Sequence, residues 1–236
     1  AIRTDPPAND LEARLNDDRE RARRQATRGV HEWLADDEPA IATLTLPTGL
    51  GKTFTGLSAA FETRDILAQQ GDNDQKRPII YALPYTSIIE QTREIFEDTN
   101  LWGADPEQSA LTVHHYLSQT LVQHDQFESG DVSETDGETA GFLGEAWRDG
   151  TILTTFVQLF ESLTGPTNSQ GLKLPALRGS VVILDEPQAL PKDWWDGIER
   201  LLALLIEEYD TRVIAMTATQ PTLVRNLTTE SLLDAG

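Results

Sequence analysis

Thr43-Leu44-Thr45-Leu46-Pro47-Thr48-Gly49-Leu50-Gly51-Lys52-Thr53 is the stretch that decides the fold. A short apolar strand runs into a glycine-rich loop that ends in Gly-Lys-Thr. Gly49 and Gly51 let the backbone curl so that its N–H groups turn inward onto anionic oxygens. Pro47, Thr48 and Leu50 complete the cradle. Lys52 reaches outer phosphates, and the Thr53 hydroxyl is a ligand for Mg²⁺. A helix opening at Lys52 adds its positive N-terminal dipole. The strict phosphate-loop template asks for glycine six residues before the lysine, and Leu46 stands there. The match is therefore to Gly-x-Gly-Lys-Thr, supported by the strand before it and by the helical spacing of Phe54, Leu57 and Phe61 after it.

Working outward, strand and helix patterns alternate. Residues 10–36 read as a leading helix with Asp10 as N-cap and an apolar face of Leu11, Leu15, Ala22, Ala26, Val30 and Trp33. Arg19 falls on that face, an odd place for a charge. Strands are expected at 41–46, 78–83, 110–113, 151–154, 180–184 and 213–216, the last being the final strand. Helices are expected from the loop to about 70, at 86–98, at 156–163 and at 194–209. Val181-Val182-Ile183-Leu184 is a continuous apolar run, the mark of a strand covered on both faces. The alternation gives an α/β fold: a parallel sheet with helices on both faces. Between them, 125–141 holds six acidic residues, three glycines and no basic residue, and reads as a mobile surface loop.

Composition narrows the possibilities. The chain has 236 residues and is 39% hydrophobic, enough for one large α/β domain. With no cysteine there is neither a disulfide framework nor thiol chemistry. No apolar run reaches the roughly 18 residues of a membrane span, and no signal peptide is evident. The sequence does not start with Met and Met216 is the only methionine, so the chain reads as a fragment or processed product of a cytoplasmic protein. The net charge is −20, and only Lys52, Lys76, Lys173 and Lys192 are lysines. Acid excess with few lysines points to very high salt, as in a halophilic archaeon. At about 1 M salt the Debye length is roughly 3 Å, so this charge does not exclude a nucleic-acid partner.

Two further constellations carry chemistry. Asp185 and Glu186 follow the apolar run at 181–184. Two adjacent carboxylates at a buried strand end are costly without a cation. Asp185 is the candidate Mg²⁺ ligand, and Glu186 the base that activates water. Gln188 lies within reach of the same region. The third constellation is Ala215-Met216-Thr217-Ala218-Thr219-Gln220-Pro221, where Thr217 and Thr219 can bond the acidic motif and relay its state. Thr219 before Pro221 also suits a helix cap.

Pro-Thr-Gly-x-Gly-Lys-Thr, Asp-Glu-x-Gln and Thr-Ala-Thr together resemble motifs I, II and III of superfamily 2 helicases. Leu83-Pro84-Tyr85-Thr86-Ser87 and Thr154-Thr155-Phe156-Val157-Gln158 resemble two of their nucleic-acid motifs. With Thr-Ala-Thr-Gln-Pro, the set is similar to the CRISPR-associated helicases of type I interference, over about residues 11–225. The resemblance implies a RecA-like ATP-binding domain spanning 1–236, with ATP and Mg²⁺ as cofactors. It implies a single-stranded DNA partner held at Pro84, Tyr85, Thr86, Ser87, Thr154, Thr155 and Gln158. It further implies an RNA-guided CRISPR effector complex as recruiting partner. A second RecA-like domain and a nuclease domain would lie outside this chain. Arg19 or Gln25 on the leading helix would contact adenine or phosphate. The usual acidic motif often ends in histidine where Gln188 stands here. His114-His115 either touches DNA or ends a strand, and His124-Asp125 matches no metal-ligand cluster. Two other readings keep parts of this picture: a duplex translocase of restriction-enzyme type, and a nucleotide-gated binding module without turnover.

Overall fold

The computed structural model describes residues 9–35, 39–70, 77–97, 111–114, 121–122, 150–164, 177–218 and 229–234. Helix α1 (Asp10–Trp33) precedes strand β1 (Ile41–Thr45) and helix α2 (Lys52–Gln70). Then come β2 (Ile79–Leu83), α3 (Thr86–Glu97), β3 (Leu111–His114) and β4 (Leu121–Val122). β5 (Thr151–Thr155), α4 (Phe156–Thr164), β6 (Val181–Asp185), α5 (Trp195–Tyr209), β7 (Arg212–Thr217) and β8 (Thr229–Asp234) complete the order. The strands form one sheet in the order β4-β3-β5-β2-β6-β7-β1-β8. All neighbours pair in parallel except β3 and β4.

Strand alternation builds two cores. Ala42, Leu44, Ile79, Tyr81, Val181, Ile183 and Met216 face α1, α2 and α3. Ile41, Ile80, Ala82, Val182, Leu184, Val213 and Ala215 face α4 and α5. Both faces are thus covered, as the continuous apolar run at 181–184 requires. At Gly56 helix α2 packs tightly on the sheet: a Cβ there would collide with the Met216 sulfur. Among the described residues no helix is long and apolar enough to cross a membrane.

The structure departs from the sequence reading at several points. Asn9, not Asp10, caps α1, its side chain accepting from the Glu12 N–H at 2.9 Å. The helix ends at Trp33, and Leu11 is 69% exposed, so the apolar stripe begins further along the helix. The strand at 213–216 is not the last: β8 adds to the free edge of β1. The loop at 125–141, His115 and the His124-Asp125 pair lie outside the described residues.

Candidate nucleotide site

The sheet order sets the site. β1, β7 and β6 are adjacent and parallel, so their C-terminal ends open on the same edge. The loop after β1 turns at Gly49 (φ +85°) and Gly51 (φ +77°), conformations that side-chain-bearing residues rarely adopt. The Leu50 N–H donates to the Pro47 carbonyl at 3.3 Å, and the Leu46 N–H to the Thr217 carbonyl at 3.0 Å. The Thr55 N–H donates to the Gly51 carbonyl at 2.9 Å. That leaves the Lys52 and Thr53 N–H groups in the first helical turn, where no intrahelical acceptor exists. Such N–H groups at a helix start suit an anion.

Arg19 joins this loop from α1. Its Nε and Nη2 both donate to the Gly49 carbonyl, at 3.0 and 2.8 Å, and Nη1 donates to Asn16 Oδ1 at 3.3 Å. Its aliphatic stem packs beside Gly51. The charge on the apolar stripe is therefore a strap on the phosphate loop. Gln25 does not accompany it. Six residues further along a helix is about 9 Å of rise and a turn of about 240° beyond full revolutions. Gln25 is exposed and lines a groove between α1 and β8 with Arg21, Arg28 and Leu232.

β6 supplies the carboxylates. Lys52 Nζ makes an ion pair with Glu186 Oε1 and lies 3.7 Å from Asp185 Oδ1. Burial lowers the Lys52 pKa, with the Asp185 carboxylate pulling the other way. Burial likewise raises the Asp185 carboxyl, opposed by Lys52 and by a hydrogen bond from Tyr81. Among the described residues nothing donates a hydrogen bond to the buried Asp185 Oδ1. Glu186 adopts the left-handed region (φ 55°, ψ 52°), unusual for a residue with a side chain. The following Pro187 disfavours the right-handed helical region for Glu186. The Glu186 N–H to Met216 carbonyl bond at 2.8 Å holds it there. Gln188 Nε2 donates to Glu186 Oε2, so Gln188 orients the carboxylate.

The third motif acts through backbone. The Ala218 N–H lies 3.4 Å from Glu186 Oε2. The Thr217 hydroxyl is buried without a hydrogen-bond partner. Among the described residues the contact between the third motif and the acidic one is thus made by the Ala218 amide and not by the Thr217 hydroxyl. Thr219 lies outside the described residues.

The candidate strand-binding residues divide. Tyr85 is 55% exposed, and its hydroxyl donates to the Ala189 carbonyl at 3.3 Å. Thr86 opens α3 half-buried, Ser87 is exposed, and Pro84 is half-buried beside them. Thr154 is fully buried, its hydroxyl unpartnered, and Thr155 is buried and accepts from the Gln158 N–H at 3.3 Å. Gln158 Nε2 donates to Glu161 Oε2 at 3.0 Å. Thr154 sits inside the sheet between Ala82 and His114, and Thr155 caps α4. His114 ends β3.

One residue of the site escaped the sequence reading. Tyr81 in β2 donates its hydroxyl to Asp185 Oδ2 at 2.8 Å, and the Thr53 hydroxyl bonds the same phenol. Burial, with the Asp185 charge, raises the phenol pKa well above its ordinary value. A lone tyrosine in the aliphatic strand Ile-Ile-Tyr-Ala-Leu was the available signal, since a buried phenol seeks a partner.

A family model described as type III restriction enzyme, res subunit, matches residues 15–222. The whole chain is 71% identical, over 238 aligned positions, to a Haloferax volcanii protein named CRISPR-associated nuclease/helicase Cas3. It covers 25% of that protein. Among solved structures, DUF1998 helicase MrfA bound to DNA and AMPPNP matches with a TM-score of 0.53 at 15% identity. That match covers 89% of this chain and 27% of the other, and is a likeness of fold. The chain thus spans about a quarter of each relative's length.

Proposed function

The chain belongs to the family described as type III restriction enzyme, res subunit, and on that premise we propose that it is the ATP-binding motor domain of an ATP-dependent DNA helicase. The fold is RecA-like. The motor would translocate on single-stranded DNA in CRISPR interference, as the name of the Haloferax volcanii relative suggests. One observation carries the reading: Lys52 after the loop that follows β1 and both carboxylates at the end of β6 meet in one partly buried ion-pair cluster. The cluster sits beside a glycine loop that leads into a helix start whose first N–H groups suit an anion.

The residues fit ATP and Mg²⁺. Asp185 Oδ1 has spare acceptor capacity, and Thr53 and Asp185 are oxygen donors of the kind a hard cation takes. Thr53 and Asp185 would hold the cation, which supplies charge to offset the phosphates. The loop from Pro47 through Thr53 would cradle phosphate, strapped by Arg19. Lys52, now on Glu186, would move to the outer phosphates. That leaves Glu186, oriented by Gln188 and the Ala218 amide, to take a proton from the attacking water. Thr219 would act beside Ala218 in reporting that state.

An arginine finger is worth about 10³–10⁵ in rate, and a second RecA-like domain of the same protein would supply it. The isolated chain would therefore bind nucleotide and hydrolyse it slowly. Pro84, Tyr85, Thr86, Ser87 and Gln158 would lie along the DNA strand. The RNA-guided effector complex would deliver that strand. The family description favours one other reading, a duplex translocase of restriction type. Stimulation of the full-length protein by duplex rather than single strands would select it. Calorimetry tests the site itself: Lys52→Ala should weaken ATP–Mg²⁺ binding at least tenfold. Unchanged affinity in that variant refutes the assignment.

A further inference from the structure

Tyr81 lies in the middle of β2, fully buried, in register with Leu153 on β5 and Ile183 on β6. Those surroundings are aliphatic. Phenylalanine would fill the same space without a polar atom, whereas a buried hydroxyl is costly unless bonded. The hydroxyl is fully used. It has one proton, which it donates to Asp185 Oδ2 at 2.8 Å. The bond with Thr53 must then run the other way, the Thr53 hydroxyl donating to the phenol oxygen. A donating hydroxyl keeps its oxygen lone pairs, and Asp185 Oδ1, 3.7 Å from Lys52 Nζ, accepts no hydrogen bond among the described residues. One phenol fixes both side chains that the nucleotide-site reading gives to the cation, and it leaves on each the atom a cation needs.

We infer that Tyr81 is a positioning residue for the divalent cation of this site, aligning Thr53 Oγ1 and Asp185 Oδ1 by holding the Thr53 hydroxyl and the other carboxylate oxygen, Asp185 Oδ2. The inference rests on the proposed nucleotide site. It goes beyond that proposal because it adds a residue no motif contains, on a strand that carries neither the loop nor the acidic pair. Charge-assisted bonds of this kind hold a carboxylate rotamer firmly. Groups that orient metal ligands from behind typically change metal affinity 10–100-fold when removed.

The test uses the chain with ADP and Mn²⁺, the bound metal being counted by electron paramagnetic resonance. Tyr81→Phe should leave ADP affinity in EDTA within about twofold of the parent chain. Mn²⁺ affinity of the ADP-loaded protein should fall about tenfold or more. In an Asp185→Asn background the same change should have little further effect, because the group it acts through is gone. Parent-like Mn²⁺ affinity in Tyr81→Phe overturns the inference. So does an equal loss of ADP affinity with and without metal, or a Tyr81→Phe effect that persists undiminished beside Asp185→Asn, since either marks a packing role. A parent chain that binds no ADP defeats the nucleotide-site reading, and this inference with it. A parent chain that binds ADP and Mn²⁺ while Tyr81→Phe matches it defeats this inference alone.

Discussion

Removing the Arg19 strap should weaken nucleotide binding more than it weakens the fold. The guanidinium donates twice to one carbonyl, that of Gly49, at 3.0 and 2.8 Å. The Leu50 N–H of the same peptide unit is engaged by Pro47. The peptide between two glycines of positive φ is therefore pinned at both ends. A hydrogen bond from a charged group contributes about 1.5–3 kcal/mol. Here two bonds share one acceptor and Arg19 is half-exposed, which places the pair near about 1–2 kcal/mol. In Arg19→Ala the loop would sample other conformations, and binding would have to order it. A cost of about 1–2 kcal/mol is a factor of roughly 5–30 in Kd. Helix α1 remains anchored by Ala22, Ala26, Val30 and Trp33, all buried. Melting should therefore drop by only about 2–4 °C per kcal/mol lost. Calorimetric titration with ADP–Mg²⁺ in molar KCl, run beside thermal melts, separates the two effects. Arg19→Lys should recover little, because an ammonium lacks the planar fork. Unchanged ADP affinity with a clear fall in melting temperature would make Arg19 a structural tie only. Tighter binding would mean that the Gly49 contact has to break before phosphate enters.

Asp185→Asn should raise the melting temperature of the nucleotide-free chain near neutral pH while abolishing Mg²⁺-dependent binding. The Asp185 carboxyl is raised from 3.8 on folding, so between 3.8 and its folded value the native state holds a proton that the unfolded state has released. Stability falls as pH rises through that window and stays lower above it; the advantage of Asn should therefore close as the pH drops toward 3.8, and a widening gap on acidification would refute the sign. A net charge of −20 repels itself in dilute buffer. Melts should shift upward from dilute buffer to molar KCl, and a flat or falling trend would remove the high-salt reading.

The parts of this molecule that were legible share one property: their signal is local. The glycine loop after an apolar strand and the continuous run at 181–184 announce a parallel sheet without reference to distant residues. Even Arg19 was visible as a charge on an apolar stripe, although its acceptor was not. What was missed depends on neighbours far along the chain. Strand β8 reads Thr-Glu-Ser-Leu-Leu-Asp, too short an alternation to stand out. It is held by the free edge of β1 and by α1, not by its own pattern. Asn9 and Asp10 are both good caps, and only backbone geometry chooses between them. Thr154 carries a motif-like hydroxyl, yet burial inside the sheet decides what it can touch.

Tyr81 shows how the gap closes. Its partner Asp185 is 104 positions away, beyond any periodicity rule. Once the sheet order places β6 against β2, the register pairs Tyr81 with Ile183 and brings the phenol level with the strand end where the carboxylate sits. A buried donor in an aliphatic strand needs an acceptor, and a buried carboxylate needs donors. Topology leaves each the other's nearest answer. The polar atoms of the site thus follow from the fold by bookkeeping of hydrogen bonds, in the same way that the fold follows from the pattern of apolar side chains.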